Sequence, residues 1–190
     1  MLTLSLYLSM LETDEDRDKL EEIYNTYKDF MMKTASELVG QYQAEEDVVH
    51  NAIIKIINYL DAIDLSNKVP TKAFIRVVIK CCAIDWLKNK SSQTWDLVSF
   101  DDTEIELEND DPLPIEAIID QENYQTIVDC IHSLGDKYRD VCDLKYVCQL
   151  TERQTADILG ISVKNVSART FRAKQILKKK LTEQGYAFTK

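Results

Sequence analysis

T-E-R-Q-T-A-D-I-L-G-I-S-V-K-N-V-S-A-R-T-F-R-A-K-Q-I-L-K-K-K-L, from Thr151 to Leu181, is the stretch on which the reading of this chain turns. Thr151 followed three residues later by Gln154 is a capping box, in which each side chain satisfies an orphan backbone donor at a helix start. The pattern predicts a first helix over about Glu152–Leu159. Gly160 supplies the left-handed residue that ends it, Ile161 plugs the turn, and Ser162 caps a second helix. On a helical wheel Val166, Thr170, Ala173 and Leu177 form one inward stripe. Lys164, Asn165, Ala168 and Arg172 then point outward, with Arg169 on the flank. Small and polar residues at the front and cations behind suit a DNA major groove, where base edges need hydrogen-bonding groups and phosphates need positive charge. The stretch therefore reads as a helix-turn-helix.

A Gly-turned helix pair can also be a plain helical hairpin. Charge separates the two readings. Between Ile158 and Thr182 there are seven Lys or Arg and no Asp or Glu, inside a chain of net charge −10. A merely solvated helix face in so acidic a protein would mix signs.

Working outward, 190 residues suffice for one large or two small domains, and the 45% hydrophobic fraction is that of an ordinary soluble protein. Four Gly and three Pro favour helices. The five cysteines have no metal-type spacing with either His, and Cys81 and Cys82 are adjacent, so they read as reduced thiols in a cytosol. The opening M-L-T-L-S-L-Y-L-S-M-L lacks a basic leader and a small-residue cleavage site and is too short for a membrane span. It reads as packed or frayed N-terminal structure.

Charge divides the chain into three parts. Residues 1–90 hold 11 basic and 15 acidic side chains, residues 91–125 none and 11, and residues 126–190 hold 12 and 7. The middle stretch mixes hydroxyl, acidic and Pro residues with no sustained period, as a linker does. It has neither the Gly nor the alternating Asp ladder of an EF-hand loop, so no calcium site is expected there.

The first part reads as helical throughout. From Asp14 to Leu38 the positions Leu20, Ile23, Tyr24, Tyr27, Phe30, Met31, Ala35 and Leu38 keep the rhythm of a core-facing stripe. A second helix over about Ala44–Leu60 carries Val48, Val49, Ala52, Ile53, Ile56, Ile57 and Leu60, with Glu45, Glu46 and Asp47 at the positive end of its dipole. Pro70 opens a third helix running through Phe74, Val77, Val78, Cys81, Ile84 and Leu87. The outer face of this third helix is basic: Lys72, Arg76, Lys80, Lys88 and Lys90 against Asp85.

Together these residues resemble the sigma-70 family of sigma factors, in the small extracytoplasmic-function type that keeps only regions 2 and 4. The resemblance spans about Leu20 to Leu181. E-E-D-V-V-H-N-A-I-I-K-I is similar to region 2.2, which in that family docks on core RNA polymerase. F-I-R-V-V-I-K-C-C-A-I-D-W-L-K-N-K resembles regions 2.3 and 2.4, which open and read the −10 element. L-G-D-K-Y-R-D-V-C-D-L-K-Y and the helix-turn-helix resemble region 4, which reads the −35 element. The chain departs from the family pattern at His50 (usually Gln), Phe74 (usually Trp), Cys81 (usually Asn) and Lys164-Asn165 (usually Gly-Thr). L-K-N-K is also thinner than the usual arginine run.

The resemblance implies an all-α protein of two helical domains. Residues 1–90 would form region 2, residues 91–121 an acidic linker, and residues 122–190 region 4, with the helix-turn-helix at 151–177. Asp47, His50 and Asn51 would meet core polymerase. Lys72, Phe74, Arg76, Lys80 and Lys88 would meet the −10 element; Lys164, Asn165, Ser167, Arg169 and Arg172 would meet the −35 element. The implied partners are core RNA polymerase and promoter DNA in the cytoplasm, with an anti-sigma factor as a further candidate.

Physics supplies a matching mechanism. A factor that starts transcription must hold duplex DNA at one point and melted strand at another. The recognition helix suits the first task, and the turn Asp61–Thr71 beside Phe74 and Arg76 is the candidate for the second. Phe74 also reads as a plain core aromatic, Trp86 and Trp95 as packing or linker anchors, and His50 and His132 as structural or interface residues. An acidic tether is further expected to compete with DNA for the basic reader helix until polymerase withdraws it. No nucleophile, base and acid stand in a catalytic set and no glycine-rich phosphate loop exists, so no enzyme activity, cofactor, metal, membrane or small-molecule substrate is expected. Two alternatives stand beside the sigma reading: a free-standing helix-turn-helix regulator, and an interaction module without a DNA role.

Overall fold

The structure, a computed structural model, describes residues 4–40, 42–90 and 124–183; side chains at 42–43 and 124–127 lie outside that description. The acidic linker, Trp95 and the expected competition between linker and DNA fall on residues outside it. Every regular element among the described residues is helical. The chain separates into two compact units, whose described helices occupy residues 4–90 and 124–183.

The first unit contains α1 (Leu4–Leu8), α2 (Asp14–Val39), α3 (Tyr42–Ile57) and α4 (Lys68–Lys90). Helix α2 starts where Thr13 Oγ1 accepts the Asp16 N–H at 3.1 Å, and three acidic residues sit at the positive end of its dipole. It stops at Gly40, whose φ of 64° suits glycine and whose N–H reaches the Ser36 carbonyl at 2.9 Å. Helices α2, α3 and α4 pack against one another around Leu20, Ile23, Met31, Val48, Ile53, Ile56, Ile75 and Ile79, each buried. Burying a side chain of this size stabilises by about 1.5–3 kcal/mol, which is how helices of modest propensity hold together.

Two boundaries differ from the sequence expectation. Helix α3 ends at Ile57, because i→i+3 bonds from Tyr59, Ala62 and Ile63 tighten the chain into a 3₁₀ turn at Leu60–Ala62. Helix α4 begins at Lys68, two residues before Pro70, because Asn67 Oδ1 accepts the Val69 N–H at 3.1 Å. Pro70 is tolerated there, since a first-turn N–H has no intrahelical partner to lose. The N-terminal segment is packed: Tyr7 on α1 is 2% exposed and its hydroxyl meets His50 Nδ1 at 2.9 Å.

The second unit contains α5 (Tyr124–His132), α6 (Asp136–Cys142), a π-type turn (Asp143–Val147), α7 (Glu152–Leu159) and α8 (Val163–Glu183). Helix α6 packs along α8 and α5 contacts both. Ile131, Val141, Cys142, Leu144, Val166, Ala173, Leu177 and Leu181 are buried in its interior. Burial pushes the Cys142 thiol up to about 12 and the Cys82 thiol of the first unit to about 11, so both stay protonated and inert. All five cysteines carry free thiols.

Candidate nucleic-acid interface

The helix-turn-helix is built from local hydrogen bonds. At the start of α7, Gln154 N–H reaches Thr151 Oγ1 at 3.2 Å and Thr151 N–H reaches Gln154 Oε1 at 3.0 Å, closing the capping box. At its end Gly160 has φ 64° and Ile161 N–H bonds the Ala156 carbonyl at 3.0 Å, the six-to-one closure of a Schellman turn. Asn165 N–H then donates to Ser162 Oγ at 3.2 Å and starts α8. The inward stripe Val166, Thr170, Ala173 and Leu177 is buried, none of the four above 6% exposure.

The residues expected to meet the −35 element divide by environment. Lys164 is exposed, and Asn165 and Arg172 are half-exposed. Arg169 is not on an open flank: it is 5% exposed and belongs to the interior. Its place three residues after Val166 and four before Ala173 puts it at the edge of the buried stripe. Helix α6 packs along α8, and Asp140 and Asp143, 7% and 0% exposed, bring carboxylates into the same interior. Ser167 is half-buried and faces α7, its hydroxyl lying 3.0 Å from Glu152 Oε2 and 3.1 Å from the Val163 carbonyl.

Glu152 is a residue that sequence pattern passed over. Its second oxygen accepts from Lys145 Nζ at 2.6 Å, with Lys145 only 15% exposed. The hydrogen bond from Lys145, aided by Ser167, holds the Glu152 carboxyl below the usual carboxylate range. Lys145 and Lys174 also lie 5.9 and 5.5 Å from the Tyr146 ring centroid. Another residue no pattern signalled is Gln149, at φ 56° a non-glycine residue in left-handed backbone just before the helix-turn-helix.

On the first unit, α4 carries Lys72 and Lys88 exposed, with Arg76 and Lys80 half-exposed. The Lys72 ammonium sits 4.9 Å from the Phe30 ring centroid. Phe74, expected also at the −10 element, is 2% exposed and packs edge-on to Tyr59 at 6.2 Å. It is a core aromatic, because its spacing places it on the same face as Val77 and Val78. On α3, Asp47 and Asn51 are exposed one turn apart. His50 between them is half-buried and held by Tyr7, with ring centroids 5.7 Å apart. Among the described residues no His, Cys, Asp and Glu cluster could hold a metal ion, and no helix is long and apolar enough to cross a membrane.

A family model described as Sigma-70, region 4 matches residues 124–177, the span from α5 through most of α8. The ECF RNA polymerase sigma factor SigW of Bacillus subtilis (strain 168) is 28% identical over 173 residues, covering 88% of this chain and 91% of that relative. Among solved structures, that of CnrH in complex with the cytosolic domain of CnrY aligns over 95% of each chain, with 14% identity and a TM-score of 0.37. The second unit is thus similar to sigma-70 region 4, and nearly the whole chain is similar to a sigma factor of the extracytoplasmic-function type.

Proposed function

We propose that this chain is a promoter-specificity subunit that binds core RNA polymerase and directs it to promoters by their −10 and −35 elements. Residues 1–90 act as region 2 and residues 122–190 as region 4. The observation that carries the reading is α8 itself. Its apolar stripe is buried, its open face presents Lys164, Asn165 and Arg172, and no acidic residue interrupts the chain from Ile158 to Thr182. Side chains of this kind donate to guanine or adenine edges and to phosphates. Arg169 acts from inside, fixing α8 in its unit.

Lys72, Arg76, Lys80 and Lys88 supply a cationic track on α4 for the −10 strand, where phosphate attraction is salt-dependent and sequence-tolerant. Asp47 and Asn51, exposed on an acidic-starting helix, suit a protein partner better than a polyanion. Tyr7 and His50 shape the ground beside them. An anti-sigma protein covering these same faces belongs to this reading as the partner implied by the family. A chain with this role needs no catalytic centre of its own.

The test is in vitro transcription with core polymerase and genomic DNA fragments, mapping start sites. Wild type is expected to produce a defined set of starts that share −10 and −35 sequences. Asp47→Lys is expected to abolish co-purification with core polymerase while circular dichroism stays unchanged. Arg172→Ala is expected to weaken promoter binding by about 1–3 kcal/mol if it meets a base and by less if it meets a phosphate. Starts that do not depend on the added chain would overturn the reading and leave a free-standing regulator, for which a two-fold symmetric operator would be the sign.

A further inference from the structure

The inference that follows rests on the −35 reading just proposed. One carboxylate joins three segments that are remote along the helix-turn-helix. Glu152, the first residue of α7, accepts from Lys145 of the π-type turn at 2.6 Å through one oxygen and from Ser167 of α8 at 3.0 Å through the other. Lys145 precedes Glu152 by 7 residues and Ser167 follows it by 15, so no local periodicity produces the arrangement. The pair formed by Lys145 and Glu152 is partly buried, 15% and 41% exposed, so it is screened less than a surface ion pair.

We infer that Glu152 is a positioning residue that sets −35 specificity by fixing the rotation of α8 about its own axis. Ser167 lies on the flank of α8, about 100° from Val166 in the direction away from Asn165 and Arg172. A helix held only by an apolar stripe can roll within the width of that stripe, because burial is not directional. A hydrogen bond on the flank removes that freedom. At a radius of about 5–6 Å a roll of about 10° carries a side-chain tip about 1 Å, enough to spoil a bidentate hydrogen bond to a base. Lys145 does a second service, since it neutralises a carboxylate that would otherwise stand beside a helix meant for phosphates.

The latch also assigns Ser167 a different task from its neighbours. Its single hydroxyl proton is engaged within the protein, by Glu152 or by the Val163 carbonyl, so base reading falls to Lys164, Asn165 and Arg172. Ser167 then matters for where those residues point, and its own side chain carries no base preference.

The experiment uses the full chain bound to core polymerase and a pool of promoter duplexes randomised across the −35 element, with selected sequences read out for wild type, Glu152→Ala, Glu152→Gln, Ser167→Ala and the double variant of Glu152→Ala with Ser167→Ala. Wild type is expected to select a defined −35 sequence. Glu152→Ala is expected to lose about tenfold of the preference for that sequence over random duplex. Glu152→Gln keeps an acceptor for Ser167 but loses the charge pair, and is expected to retain more of it. Ser167→Ala is expected to weaken the same preference without changing which bases are preferred, and the double variant to be no worse than Glu152→Ala, as members of one network behave. Binding to random duplex is expected not to fall, since the change frees the charge of Lys145, and the circular dichroism spectrum is expected to stay at wild-type level. Three results would overturn the inference: a −35 preference unchanged in Glu152→Ala, an equal loss on selected and random duplex, or a swapped preferred base in Ser167→Ala alone. A wild-type complex that selects no −35 sequence would instead overturn the function on which the inference rests.

Discussion

The interiors of the two units are made of different materials. In the first, the buried polar or charged side chains among the described residues are Glu45 and Thr71, both near helix starts, and the rest of the described interior is apolar. In the second, Asp140, Asp143, Thr155, Arg169 and Thr170 are all buried within a smaller framework of shorter helices. Apolar burial is proportional to area and indifferent to angle, so the first unit is specified by where its stripes lie. Buried polar groups are costly to desolvate and sensitive to direction, so the second unit depends more on where each such group points. A bundle that serves as a platform tolerates the first kind of interior. A helix that presents three side chains to base edges, as proposed for α8, gains from the second.

The sharpest way to break this comparison is Arg169→Ala. Truncating a guanidinium buried in an interior that also holds Asp140 and Asp143 removes both packing and charge balance, and the expected cost is about 3–5 kcal/mol in denaturant unfolding of the second unit. A loss below about 1 kcal/mol would put the side chain at the surface and return it to the DNA face.

In the first unit, Ile79→Ala, at a fully buried position on α4, is expected to cost about 2–5 kcal/mol, whereas Ile79→Val should cost about 0.5–1.5 kcal/mol. The graded response is the signature of an apolar interior. An Ile79→Val loss as large as that of Ile79→Ala, read from the same unfolding curves, would mean that shape and not volume governs this unit.

Gly160→Ala comes next. A Cβ there meets nothing within 4 Å, so the penalty isolates the left-handed backbone at φ 64°. It should be about 1–2 kcal/mol in thermal or denaturant unfolding. A neutral result would show that the turn between α7 and α8 relaxes freely, which would also weaken the case for a fixed reader helix.

The smallest effect concerns pH. Because the Glu152 carboxyl is held below its unfolded value of 4.5, it contributes stability that is present above that pH and is lost as pH falls through the depressed folded value. The second unit should therefore lose stability faster than a Glu152→Gln variant between about pH 5 and lower values, as followed by thermal unfolding in a pH series. Parallel curves for the two proteins would show that the carboxylate carries no net charge interaction.

How much of this could be seen in the sequence follows the same division. The capping box of Thr151 and Gln154, the left-handed Gly160 and the cap at Ser162 were all legible, because each closes within a few residues and depends on side-chain type and spacing. The stripes of α2, α3 and α8 were legible for a related reason, since a 3.6-residue period is a property of the chain alone, though Leu38 at the end of the α2 stripe is 40% exposed. Arg169 was misplaced on an open flank because a wheel gives an angle but not the height of the neighbouring helix. Phe74 stood between two uses, and only packing against Tyr59 assigned it to the core.

What the chain by itself determined is thus an all-α protein with a helix-turn-helix, since periodicity, capping and turn chemistry are written within about one or two helical turns. What the tertiary structure alone decided is everything that joins distant residues: the hydroxyl of Tyr7 on His50, 43 positions apart, the carboxylate of Glu152 between Lys145 and Ser167, and the burial of Arg169 in an interior it shares with Asp140 and Asp143. Such contacts leave no period in the sequence. Their partners are chosen by the geometry of whole helices, and a buried polar group must find its complement wherever the packing brings one.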